Sequence, residues 1–139
     1  MTHAFPTIRL NMPLEIVARI LTEAGAGPDT DELQAAPFID IWQPILTPTD
    51  EICLNGLVSQ HPLLGPGPRW IATSQLLLLD QGGGWCRTAS RFYRLGRLSE
   101  VRGIDMPPAV RFPTWARVVD IDDVGILLNT IARVVGKMG

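Results

Sequence analysis

The segment that decides the fold reads RWIATSQLLLLD (69–80), QGGG (81–84) and WCRTASRFYRLG (85–96). Two runs rich in aromatic, β-branched and aliphatic residues flank a glycine cluster, which lets a chain reverse with positive φ at little steric cost. A β-hairpin follows, with arms Trp70–Leu79 and Trp85–Leu95.

The neighbouring segments extend this unit. Residues 61–68 hold three prolines and two glycines in eight positions, a composition that rules out regular structure and makes a loop. Ahead of it, Glu51 to Gln60 alternates as a strand, with Ile52, Leu54 and Val58 on one side and Asn55 and Ser59 on the other. Gly56 inside that run weakens it or marks a close backbone approach. Thr47-Pro48-Thr49-Asp50 turns the chain. Before it, Ile39 to Leu46 is a further strand, which Pro44 demotes to an edge or bulged position. Short connections favour a meander of antiparallel strands in sequence order.

Both ends of the chain read as helical. Leu14, Val17, Leu21 and Ala24 fall on one helical stripe widened by Ile16 and Ile20, with Asn11 or Met12 as cap, Pro13 in the first turn and Gly25 at the end. A short second helix starts near Asp29 or Thr30 and stops at Pro37, with Asp31 and Glu32 favourable in its first turn. Residues 97–114 form a long irregular connection, and Trp115 to Ile121 extends as a fifth strand on the β preference of Val118 and Val119. Asp122 then caps a helix carrying Val124, Leu127, Leu128, Ile131, Val134 and Val135 on one face. Asp120, Asp122 and Asp123 suit a helix N-terminus.

The expected architecture is therefore α+β: an antiparallel sheet of three to five strands packed by N-terminal helices and a C-terminal helix. One domain spans 1–139, divided into a helical part (1–37), the sheet (38–96), an irregular connection (97–121) and the last helix (122–136). Hydrophobic residues make up 46% and charged residues 19% of the chain, the balance of a folded globular protein. No apolar run approaches a bilayer span and no signal layout opens the chain, so a soluble cytoplasmic protein with no membrane partner is expected. Cys53 and Cys86 read as buried, reduced thiols.

Charge is unevenly placed. Residues 1–84 carry three arginines and nine carboxylates, whereas residues 85–119 carry seven arginines and two carboxylates, within a net charge of −2. Strict alternation along 85–95 puts Trp85, Arg87, Arg91 and Tyr93 on one face, and Cys86, Thr88, Ser90, Phe92 and Arg94 on the other. Arginine beside aromatic rings suits carboxylate or phosphate recognition, base stacking or a protein interface. The same arginines would also serve to pair with the acidic N-terminal half. His61, on the loop after a strand, joins Trp85, Arg87, Arg91, Tyr93 and Arg94 as a candidate binding residue.

No metal or cofactor is expected: His3, His61, Cys53 and Cys86 lack ligand spacing, and the glycine runs lack the lysine and hydroxyl of a phosphate loop.

The runs Ala36-Pro37 with Trp42, Gly56 to His61-Pro62, Ile71-Ala72-Thr73-Ser74 and above all Trp85 to Gly96 resemble a family of small bacterial proteins, frequent in alphaproteobacteria and known as a domain of unknown function. The resemblance spans about Asp31 to Arg97 and implies that the hairpin is a real unit, without implying an activity. Hairpins of similar look in phage and mobile-element proteins imply an accessory or defence-related interaction role.

Three functional readings follow. The first is a non-enzymatic binding protein that contacts a protein or anionic partner, nucleic acid included, through the arginine and aromatic face. The second is a small hydrolase or transferase using His61 with Ser90 or Cys86. The third is a homo-oligomer joined through its C-terminal helix.

Overall fold

A computed structural model describes residues 9–99 and 117–136 of the chain. Its elements run α1 (Leu14–Ala24), α2 (Thr30–Ala35), β1 (Phe38–Leu46), β2 (Ile52–Ser59), β3 (Arg69–Ala72), β4 (Leu76–Asp80), β5 (Trp85–Thr88), β6 (Phe92–Leu95), β7 (Arg117–Val118) and α3 (Ile121–Gly136). The expected lead-in before Arg9, the connection over 100–114 and the first residues of the fifth strand lie outside the described residues.

The α+β class holds, but the sheet is mixed and has more strands than a five-stranded meander. Its order is β3-β2-β1-β6-β5-β4, with β7 beside the far end of β1. Two antiparallel meanders, β1-β2-β3 and β4-β5-β6, are joined by a parallel pairing of β1 with β6. Laid flat, that order would hold β3 and β4 about 24 Å apart. The backbone from Ala72 to Leu76 reaches only about 14 Å. The sheet must therefore roll until its two edges approach each other at Thr73-Ser74-Gln75.

That crossing is where the first expected arm, Trp70–Leu79, breaks in two. Thr73 bonds toward β2, its N–H donating to the Leu54 carbonyl (2.8 Å) and its hydroxyl oxygen accepting from the Leu54 N–H (3.0 Å). Two residues later the Gln75 carbonyl accepts from the Ala89 N–H at the β5 end (2.8 Å). The Gln75 side chain also ties down the entry to the domain, donating to the Arg9 carbonyl and accepting from the Asn11 N–H.

β1 is central rather than an edge. Its first residues pair with β6, Trp42 bridges to Leu98, and Ile45 and Leu46 pair with β7. Pro44 is tolerated because the strand changes partner there. Its carbonyl accepts from Val119 (3.1 Å), so its missing N–H points to that same side, past the end of the β7 ladder. Between Asp40 and Gln43 the register slips against β2, and Ile41 adopts φ 49°, a bulge that turns Trp42 inward. Gly56 sits opposite. A Cβ there would lie 2.6 Å from Ile39 Cγ1 and 3.0 Å from the Asp40 carbonyl, which explains the glycine as a close approach.

α1 and α3 pack on each other and on β4, with α3 also reaching β1. They close a core of Val17, Ile39, Trp42, Leu54, Leu76, Val124 and their neighbours, where each fully buried large apolar side chain contributes about 1.5–3 kcal/mol. Pro13 is itself the N-cap of α1 rather than a first-turn residue. For α3 the capping oxygen belongs to Asp120, which accepts from the Asp122 N–H (2.9 Å). Val134, expected on the core face, is exposed, and so is Ile16 on α1. α2 starts where expected, and its N-terminus closes with a capping box, Asp29 and Glu32 each bonding the other's backbone N–H.

Gly56→Ala is expected to lower stability by about 1–3 kcal/mol through overpacking against Ile39. Gly82→Ala, where an added Cβ meets nothing closer than 3.7 Å, is expected to change it by less than about 0.5 kcal/mol. Urea denaturation midpoints of the two variants check the difference.

Candidate functional site

The glycine hairpin forms as expected: Asp80 pairs with Trp85, Gly84 takes φ 73°, and the Asp80 carboxylate accepts from the Gly83 N–H (2.8 Å). The second arm does not stay straight. It folds into a hairpin of its own, β5 against β6, with Cys86 opposite Tyr93 and Arg87 opposite Phe92. Ala89-Ser90-Arg91 makes the turn.

Hydroxyls build this turn without glycine. Ser74 donates to the Thr88 hydroxyl oxygen (2.9 Å), which itself donates to the Arg91 carbonyl (3.2 Å). The Ser90 N–H is shared between the Ser74 and Thr88 oxygens. The Ser74 and Thr88 hydroxyls are thus engaged in structure.

The extra turn changes which residues share a face, because residues opposite one another in a ladder point the same way. Cys86, Thr88 and Tyr93 face inward and are buried. Trp85, Arg87, Phe92 and Arg94 face outward, each half-buried. The expected ladder of Trp85, Arg87, Arg91 and Tyr93 is corrected accordingly: Tyr93 turns inward, and Phe92 and Arg94 join Trp85 and Arg87 on the outer face.

On the outer face aromatic and cationic groups alternate. The Trp85 and Phe92 rings meet edge to face at 5.6 Å, the Arg87 guanidinium lies 5.3 Å from the Phe92 centroid, and that of Arg94 lies 5.8 Å from the Phe38 centroid. Each such contact is worth about 0.5–1 kcal/mol at an exposed site. Arg94 is fixed further by donating from Nε to the Ala36 carbonyl at the end of α2 (2.9 Å) and from Nη2 to Gln60. The α1–α2 turn closes the other side of Trp85: a Cβ on Gly27 would come within 3.2 Å of its ring.

Electrostatically the face stays positive. Among the described residues the ion pairs are Asp40 with Arg97 (2.8 Å) and Asp50 with Arg117 (3.5 Å). Arg87, Arg91 and Arg94 have no carboxylate within ion-pairing distance there. Partial burial lowers the pKa of Arg87, opposed by the fields of Glu23 and Glu32, and Arg91 adds a like charge. Asp40 behaves differently: its hydrogen bond with Arg97 brings its carboxyl down to about 2.

His61 sits apart from that face, on the side of Tyr93, their ring centroids 6.3 Å apart. Its Nδ1 accepts from the N–H groups of Leu63 (3.0 Å) and Leu64 (3.2 Å), and its backbone pairs with Gly65 in both directions. Burial, reinforced by Arg91, lowers its pKa. It is the clasp of a tight loop. Cys86 is fully buried with its thiol pushed up to about 12, and Cys53 rises to about 11, so neither is a thiolate at neutral pH. No hydrogen bond links His61 to Ser90 or Cys86 among the described residues.

The Trp85–Gly96 run and the β1–β6 seam both fall within residues 11–110, which match the profile of a family of unknown function, DUF6634. The chain belongs to that family. Comparison with curated proteins and with solved structures returns no significant match. The match extends beyond the resembling segment on both sides, taking in α1. Among the described residues no helix is long and apolar enough to cross a membrane.

Sequence reasoning missed Phe38, Gln60 and Phe92 as members of the face. Phe92 moved there because the Ser74 and Thr88 hydroxyls hold a turn at 89–91 that no glycine or proline marks.

Because the folded state disfavours protonated His61, the unfolded chain takes up that proton more readily, and stability rises with pH through this range. The contribution of the neutral ring is complete above about 6.5 and is lost as pH falls through the lower folded-state value. Acidification from neutral pH to about 5 is expected to lower the urea midpoint more in the wild type than in His61→Asn. At neutral pH the variant His61→Ala should cost about 0.5–1.5 kcal/mol.

Proposed function

We propose that this chain is a non-enzymatic binding protein whose β5–β6 outer face, Trp85, Arg87, Phe92 and Arg94 with Phe38 and Gln60, holds an acidic surface of a partner protein. The observation that carries this reading is that Arg87, stacked on Phe92 beside Trp85 and within the field of Arg91, has no carboxylate within ion-pairing distance among the described residues. Tryptophan and arginine are the residues most enriched where partners bury one another. Arg94, held edge-on by Ala36 and Gln60, is preorganised, which reduces the ordering cost of a bidentate contact. We take the Trp85–Gly96 run as the signature of this face within the family.

Poly-glutamate serves as the probe, titrated by fluorescence anisotropy. The wild type is expected to bind with an affinity that falls with salt. Arg87→Ala combined with Arg91→Ala should weaken binding about tenfold or more, corresponding to about 1.4 kcal/mol or more, while Arg133→Ala on α3 should leave it unchanged. Equal binding by the double variant, or stronger salt-dependent binding to single-stranded DNA than to poly-glutamate, would overturn the reading.

A further inference from the structure

The connection between β2 and β3 presents a second surface, which Gln60 joins to the arginine face. Leu63 is 78% exposed and Leu64 37% exposed at its tip. Two adjacent leucines at one loop tip form a small apolar projection that a partner surface can cover. The tip is also built to stay in place: His61 Nδ1 accepts from both leucine N–H groups, His61 and Gly65 exchange two backbone bonds (3.1 and 2.9 Å), and Gln60 bonds to the Pro66 carbonyl. Gln60 and Gly65 supply the positive φ values, 58° and 95°, that the tight reversal requires. This is a rigid knob of two leucines.

The same chain carries a matching hole. Between α1 and α3 lies an apolar groove of about 490 Å³, lined by Leu14, Ala18, Leu21, Ala132 and Val135, with Glu15 on its rim. Ala18, Ala132 and Gly136 leave it open, since the alanine methyls are short and Gly136 has no side chain to span the gap between the helices. A volume of this size accommodates a drug-sized apolar ligand, and two leucine side chains are smaller. Charge agrees with the pairing: from Ile52 to Leu79 the sole charged residue is Arg69, at the foot of the knob and exposed, while the rim of the groove is acidic at Glu15.

We infer that the Leu63-Leu64 knob of one copy docks in the α1–α3 groove of a second copy. Knob and groove come from different elements, so the contact is head-to-tail, and each copy that fills a groove offers its own groove to another. Association therefore propagates with concentration instead of stopping at a two-fold dimer.

Sedimentation velocity over a wide concentration series tests this with two variants at exposed positions, Leu63→Asp on the knob and Ala132→Phe in the groove. The wild type is expected to grow beyond dimer as concentration rises, and each variant alone to stay monomeric with an unchanged circular dichroism spectrum. An equimolar mixture of the two variants should give a one-to-one dimer, because one supplies an intact groove and the other an intact knob. The inference is overturned by a wild type that stays monomeric throughout, by Leu63→Asp associating like the wild type, or by a mixture that stays monomeric. Leu63-dependent sedimentation of a monomeric chain with phosphatidylcholine vesicles would likewise overturn it, assigning the knob to a lipid surface.

Discussion

The parallel seam between β1 and β6 is the constraint on which the rest of the sheet depends. It is short, only Phe38 with Arg94 and Ile39 with Leu95, and then a bridge from Trp42 to Leu98. Two residue pairs would be a weak joint between two meanders, and side chains reinforce it. Trp42, buried to 2% exposure, donates its indole N–H to the Gly96 carbonyl (3.1 Å) and its backbone N–H to the Arg97 carbonyl (3.0 Å). Asp40 receives three bonds from Arg97, one from the backbone and two from the guanidinium. Gly96 is required between them, since a Cβ there would lie 2.6 Å from both Asp40 and the Phe38 ring. The bulge at Ile41 makes the clamp possible by turning Trp42 inward while Asp40 stays at the surface, at a backbone strain of about 1–3 kcal/mol.

From that seam follows the geometry of both faces of β5 and β6. Holding Arg94 beside Phe38 brings Gln60 and the end of α2 to the guanidinium. The same pairing turns Tyr93 and Cys86 into the core, where His61 meets Tyr93 from the adjacent loop. The outer face is thus assembled from three separate segments, around residues 38, 60 and 85–94, and exists only while the two meanders are joined.

Local chemistry was legible in the sequence wherever one segment determines its own shape. The glycine turn at 82–84, the start of α2 near Asp29 and the apolar stripe of α3 all formed because their signals act within a few residues. Long-range pairing was not legible. Alternation states that a segment is extended and not which neighbour it finds, so the parallel seam left no mark in the pattern, and Pro44 pointed to an edge because the change of partner beside it is invisible. The two breaks inside the expected arms failed for another reason. Thr73-Ser74-Gln75 and Ala89-Ser90-Arg91 contain neither glycine nor proline, and the hydroxyls of Ser74 and Thr88 hold the second of them from across the fold. One unrecognised reversal was enough to exchange Phe92 and Tyr93 between faces, so the residue types of the site were readable while their arrangement was not.

The arginines fall into those with carboxylate partners and those without among the described residues. Arg97 and Arg117 have carboxylate partners, and Arg97 through Asp40 helps secure the seam. Arg94 is half engaged, with its Nε and one terminal nitrogen bonded to neutral oxygens. Among the described residues Arg87 has no carboxylate in contact, it lies near the like charge of Arg91, and partial burial already works against its charge. A guanidinium placed for stability would be expected either fully solvated or paired, because desolvating an unpaired charge is unfavourable. A half-buried cation stacked on Phe92 next to Trp85, with Glu23 and Glu32 close enough to act on it but not to bond, has neither arrangement. An arriving carboxylate would complete its coordination and displace the remaining water in one step, which is the condition under which a charged contact contributes to affinity instead of merely to solubility.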